Sequence, residues 1–79
     1  MSQDDFEGDP DETARVLRAA RVFHKALELF EGDAAAARDW LNAPARALGG
    51  TPPIRLMQTE LGSHEVEGLI ERLERGVLN

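Results

Sequence analysis

His24 and His64 are the only imidazoles in the chain, and neither has the neighbours that chemistry at an imidazole needs. They fall on different expected helices. His64 and Glu65 begin like the zinc-protease pattern His-Glu-x-x-His, but the closing position holds Gly68. The pair Gly49 and Gly50 lacks the Gly-Lys-Ser/Thr ending with which a phosphate-cradling loop reaches its ligand, and reads as a tight turn. With no cysteine there is no thiol nucleophile, no thiolate zinc site and no disulfide framework. No nucleophile, base and orienting group can be assembled from the spacing. No enzyme activity, cofactor or metal site is expected.

The features that remain suit binding. Arg15, Arg18, Arg21 and Lys25 put four bases on one expected helix, and three of them (15, 18 and 25) share a stripe. Such a stripe could meet phosphates, but it has no interleaved aromatics and lies beside an acidic arm. All of the net charge of -6 sits in residues 1–12, which hold Asp4, Asp5, Glu7, Asp9, Asp11 and Glu12 and no base. The rest of the chain is formally neutral, whereas backbone-phosphate binding calls for net basic surface. Nucleic-acid binding is not expected from this chain alone, and the stripe reads as a solvated face partly neutralised by the arm. Trp40, the single tryptophan, is expected in the core, with an interface anchor as the other reading. Past Gly76 come Val77, Leu78 and Asn79, an apolar, anionic tail that could enter a partner's pocket.

The elements that position these residues are helical. At 79 residues one domain is the ceiling, and so small a core supplies only ~3–5 kcal/mol, so support from a partner is worth expecting. Residues 1–9 read as a disordered acidic arm and 10–79 as a helical domain. Asp9, Pro10 and Glu12 form a helix start, with Asp9 as cap and Pro10 in the first turn. Val16, Ala20, Phe23, Leu27 and Phe30 then recur at helical spacing, with Val22, Ala26 and Leu29 on one flank, and Gly32 supplies the stop. This predicts a helix over 10–31. Asp33 caps a short helix, 34–42, with Ala37, Trp40 and Leu41 inward, ended by Pro44. A further turn is expected before Gly49, then a short helix capped by Thr51. A last helix spans 64–75, with Ser63 as cap, Val66, Leu69, Ile70 and Leu73 as its stripe, and Gly76 as its stop. The predicted core is Trp40, Leu41, Leu48, Ile54, Leu56 and Leu69 against the first helix. No segment alternates apolar and polar residues as a strand would. The fold class is all-α, two longer helices bracketing short ones. No apolar run approaches the ~20 residues of a membrane span, and no signal peptide pattern opens the chain, so a cytoplasmic location is the default.

One series of residues is more specific. Ala37, Arg38, Asp39, Trp40 and Leu41 are followed by Pro44, then by Arg46, Ala47, Leu48, Gly49, Gly50, Thr51, Pro52 and Pro53. Leu56, Thr59, Glu60, Gly62 and Val66 continue it, and Glu74, Arg75, Gly76 and Val77 close it. This resembles the toxin-binding domain of Xre/MbcA/ParS-type antitoxins over roughly residues 15–79. The position after Pro44, commonly Asn in that pattern, is Ala45 here.

The resemblance implies a bacterial type II toxin–antitoxin system whose partner is a RES-domain toxin, an enzyme that cleaves NAD or transfers its ADP-ribose. In such pairs the antitoxin's last helix and tail cover the NAD pocket, which points to Arg72, Arg75, Gly76, Val77, Leu78 and Asn79 as the partner-binding residues. Inhibition by occupancy needs no catalytic group. Many relatives carry a helix-turn-helix-like domain ahead of this module, where this sequence has the acidic arm. DNA binding is therefore not carried over, and whether the chain is a natural short form or a piece stays open. The competing reading is a stand-alone helical interaction or oligomerisation module with a different partner.

Overall fold

The computed structural model describes residues 10–76. The arm of residues 1–9, with the expected Asp9 cap, and the tail residues Val77, Leu78 and Asn79 lie outside the described residues. The elements in chain order are α1 (Pro10–Leu29), α2 (Ala34–Asn42), a 3-10 turn (Arg46–Leu48), α3 (Pro53–Leu56) and α4 (Glu60–Arg75). No strand occurs among the described residues, only an isolated bridge between Ala45 and Thr51. The all-α expectation holds.

α1 and α4 pack most extensively and run in the same direction. Three bases set that register through four ion pairs: Arg18 reaches Glu60, Arg21 binds Glu60 and Glu67, and Lys25 meets Glu71 at 3.2 Å. The hydrogen bond from Arg21 to Glu67 raises the guanidinium pKa above its ordinary value, with burial working against it and the nearby carboxylates adding to it. Under this ladder lies the core: Val22 and Ala26 of α1, Ala37 and Leu41 of α2, Met57, and Val66 and Ile70 of α4. Leu69 is buried with them.

The buried face of α1 is not the stripe that periodicity favoured. Val22 and Ala26 are fully buried, Phe23 and Leu27 are half-buried, and Val16 and Ala20 face outward, Val16 with 61% exposure. The reason is Arg18. Its side chain is only 12% exposed, and its guanidinium donates to the carbonyls of Met57 at 3.4 Å and Gln58 at 2.9 Å. A long basic side chain that buries its stem while its head finds acceptors behaves as an inward residue. The inward face therefore rotates toward positions 18, 22 and 26. Of the predicted core, Leu41 and Leu69 are buried, Trp40, Leu48 and Leu56 are half-buried against it, and Ile54 is 40% exposed, while Met57 and Pro53 join the interior.

The helix ends also depart from expectation in particular ways. α1 stops at Leu29, and its closing motif puts Glu31 in the left-handed region at φ 57°, with Gly32 following at φ 89°. Gly32 N–H reaches the Leu27 carbonyl at 2.8 Å and Glu31 N–H the Glu28 carbonyl at 3.1 Å, the paired bonds of a Schellman cap. A non-glycine there costs about 1 kcal/mol. Asp33 caps α2 as expected, accepting from Ala36 N–H at 3.1 Å. α3 starts after Pro52 rather than Thr51, which instead accepts from Ala45 N–H at 3.3 Å.

The largest boundary correction concerns α4, which begins at Glu60 and not at 64. Thr59 is its cap, with the hydroxyl accepting from Gly62 N–H at 2.9 Å. Gly62 is not a break. It sits in the first turn because α3 passes so close that any Cβ would collide with the Leu56 carbonyl. Ser63, expected as the cap, is fully buried inside the helix, and its hydroxyl has no hydrogen-bond partner among the described residues.

Two outcomes follow for urea unfolding. Thr59→Ala should cost about 1 kcal/mol by removing the cap, whereas Ser63→Ala should be neutral or slightly stabilising because it removes an unsatisfied buried hydroxyl. A large loss for Ser63→Ala would restore Ser63 as the cap. Ile70→Ala should cost about 2–5 kcal/mol as a core cavity, while Glu67→Gln, on a partly exposed pair, should cost no more than about 1 kcal/mol. The reverse order would make the ladder, rather than the apolar seam, the source of stability.

Candidate functional site

α2 ends at Asn42, and the extended backbone of its C-cap Ala43 (φ -98°, ψ 146°) hands the chain to Pro44 and Ala45. The loop that follows closes on itself. The Ala45 carbonyl accepts from both Leu48 N–H and Gly50 N–H at 2.9 Å, and Gly49 and Gly50 supply positive φ values of 70° and 84°. Such turns are inexpensive only for glycine. The result is a braced wall set beside the second half of α4.

Two grooves lie along that wall. The first, of about 560 Å³, runs between Trp40, Pro44, Ala45 and Ala47 on one side and Leu69 and Leu73 on the other, with Arg46 as its sole charged lining residue. That size is typical of ligand-accepting clefts. Trp40 reaches it from α2, backed by Phe30 at a centroid distance of 6.4 Å and a tilt of 55°. The second groove shares Ala47 and is lined further along by Leu48, Leu56, His64, Glu65 and Arg72. It is the more polar of the two.

Of the expected partner-binding residues, Arg72, Arg75 and Gly76 are described, and they stand at the end of this face. Arg72 and Arg75 occupy the last turn of α4, both exposed, and Gly76 closes it at φ 74° with its N–H directed to the Arg72 and Leu73 carbonyls. Arg72 opens onto the second groove and its guanidinium approaches Gly68. Neither arginine, nor Arg46, has an ion-pair partner among the described residues. The bases of α1 contrast with them. Arg18, Arg21 and Lys25 are engaged by Glu60, Glu67 and Glu71, so the carboxylates that neutralise the stripe come from α4.

The histidines stay apart, each within reach of a glutamate on its own helix: His24 with Glu28 at 3.2 Å and His64 with Glu60 at 3.1 Å. Among the described residues no cluster of three or more metal-ligating side chains exists. Among the described residues no helix is long and apolar enough to cross a membrane. The groove beside Trp40 escaped sequence reasoning, because Arg46, Ala47 and Leu73 acquire a common surface only when α4 lies against the loop. The one signal available was the single tryptophan next to a proline-interrupted segment.

Comparison with known proteins gives this face a context. Residues 25–76, which include both grooves and the end of α4, match the family model described as the antitoxin Xre/MbcA/ParS C-terminal toxin-binding domain. The chain is 43% identical over 70 residues to the antitoxin Xre of Yersinia enterocolitica, covering 89% of this chain and 47% of that protein. It is 39% identical over 69 residues to the antitoxin Xre of Photorhabdus laumondii, covering 87% and 47%. With the antitoxin Xre of Pseudomonas putida it shares 30% over 66 residues, covering 84% and 41%. The chain thus spans about half the length of these relatives. No solved structure matches it. With an α-helical module whose matched segment carries the face just described, this chain belongs to the Xre/MbcA/ParS antitoxin family through its toxin-binding domain.

Proposed function

We propose that the protein neutralises a RES-domain, NAD-consuming toxin in the bacterial cytoplasm, acting without catalysis by laying the end of α4 and residues 77–79 over the toxin's active site. The observation that carries this reading is the end of α4 itself. Gly76 stops the helix immediately after two exposed arginines that no described residue neutralises. Val77 and Leu78 follow, and the positions with which a helix-ending glycine motif would pair Val77, Glu71 and Arg72, are charged rather than apolar. Apolar side chains without a local anchor, next to unpaired charges, are suited to a partner's pocket. Arg72 and Arg75 would meet acidic or carbonyl groups at its rim.

Occupancy suffices for such inhibition and calls for no catalytic group. Residues 1–9 form, on this reading, an arm outside the inhibitory contact, since Phe6 is its one large apolar side chain beyond Met1.

The test is co-expression of a RES-domain toxin, sought in the adjoining reading frame, with the full chain, with a version ending at Gly76, and with one lacking residues 1–9. The full chain and the version without the arm should protect growth and NAD level equally. The version ending at Gly76 should fail to protect while keeping its melting temperature. Full protection by the shortened form would move occlusion to another surface of α4. Loss of protection without the arm would make residues 1–9 a docking segment.

A further inference from the structure

We infer that the groove beside Trp40 is a second toxin-docking site, separate from the end of α4, that takes an apolar side chain flanked by a carboxylate from the partner. This rests on the antitoxin reading above. The walls of the groove are apolar: Trp40 and Pro44 on one side, Ala47 between, and Leu69 and Leu73 on α4. A tryptophan half-buried against Phe30 and open on its other side is the kind of residue on which interfaces anchor.

Charge narrows the occupant. Arg46 is the single charged lining residue, it is exposed, and no described residue pairs with it. The other bases near the packed core, Arg18, Arg21 and Lys25, are engaged by carboxylates. An apolar cleft with one unpaired guanidinium at its rim complements an aliphatic or aromatic side chain followed closely by Asp or Glu. The groove is also continuous with the proposed inhibitory end, since Leu73 lies on the same last turns of α4 as Arg72 and Gly76. The adjacent groove across Ala47 is a weaker candidate for this occupant because Glu65 lines it and would repel a carboxylate.

The test uses the full chain with its single tryptophan replaced by 5-fluorotryptophan, and an unlabelled RES-domain toxin sought in the adjoining reading frame. The fluorine resonance of Trp40 should shift when the toxin is added, and should do so with the version ending at Gly76 as well. Ala47→Trp, which fills the groove from an exposed position, and Arg46→Glu should each weaken toxin binding by roughly 30-fold or more with an unchanged melting temperature. Arg46→Lys should weaken binding less than Arg46→Glu, because the charge is kept while the planar fork is lost. A complex that forms with Trp40 unmoved and both variants binding normally overturns the groove and leaves the antitoxin reading standing. A Trp40 shift that depends on the protein's own concentration without toxin overturns it in favour of a second copy. Failure of the unsubstituted chain to bind the toxin removes the functional reading, and the groove's occupant with it.

Discussion

Everything in this fold depends on two helices lying parallel. α1 and α4 run in the same direction, so the chain must travel back along α1 between them, and residues 30–59 do so in short pieces. That return explains why α2, the 3-10 turn and α3 are brief and why glycine and proline mark their joints. It also explains Gly62: α3 ends so close to the start of α4 that a side chain at that position would strike the Leu56 carbonyl. The energetic weight of the arrangement is apolar. Burying a side chain such as Val22 or Ile70 contributes about 1.5–3 kcal/mol, against at most about 1 kcal/mol for each exposed ion pair above them. The ladder of Arg18, Arg21 and Lys25 on Glu60, Glu67 and Glu71 therefore serves chiefly to fix direction and register.

The same ladder sorts the charges of the molecule into two populations. Three bases of α1, Arg18, Arg21 and Lys25, are engaged by α4. Arg46, Arg72 and Arg75, like Arg38 and Arg55, have no ion-pair partner among the described residues, and the first three border the second half of α4. Arg46, Arg72 and Arg75 all lie within the segment that matches the family's toxin-binding domain. The ladder also removes the basic stripe of α1 as a free surface for phosphates.

The self-bonded loop after α2 gives that face its shape. Because the Ala45 carbonyl accepts two N–H groups and both glycines take positive φ, local hydrogen bonds shape the wall beside Trp40, while Leu48 packs it against the core. A small domain can in this way present a groove without opening its interior. Val16, Leu17, Ile54 and Leu61 are also exposed, and they belong to the opposite, N-terminal ends of α1 and α4 and to α3.

What the sequence alone determined is local: helical class, the bounds of α2 with its Asp33 cap, the Gly76 stop, the Val66–Leu69–Ile70–Leu73 stripe, and the residue series that resembles the family. Each depends on neighbours within a turn or two, where side-chain type limits the backbone directly. The inward face of α1 was a tertiary decision, because Arg18 counts as interior only once the Met57 and Gln58 carbonyls are there to accept from it. The start of α4 was another: Gly62 and Ser63 look like a break and a cap until the Leu56 carbonyl and the buried interior are in place. The groove between Trp40 and Leu73 was a third, since residues some thirty positions apart share a surface only through the parallel packing of α1 and α4. Periodicity fixes which residues can share a face. Only the partner that fills or satisfies that face decides which one is buried.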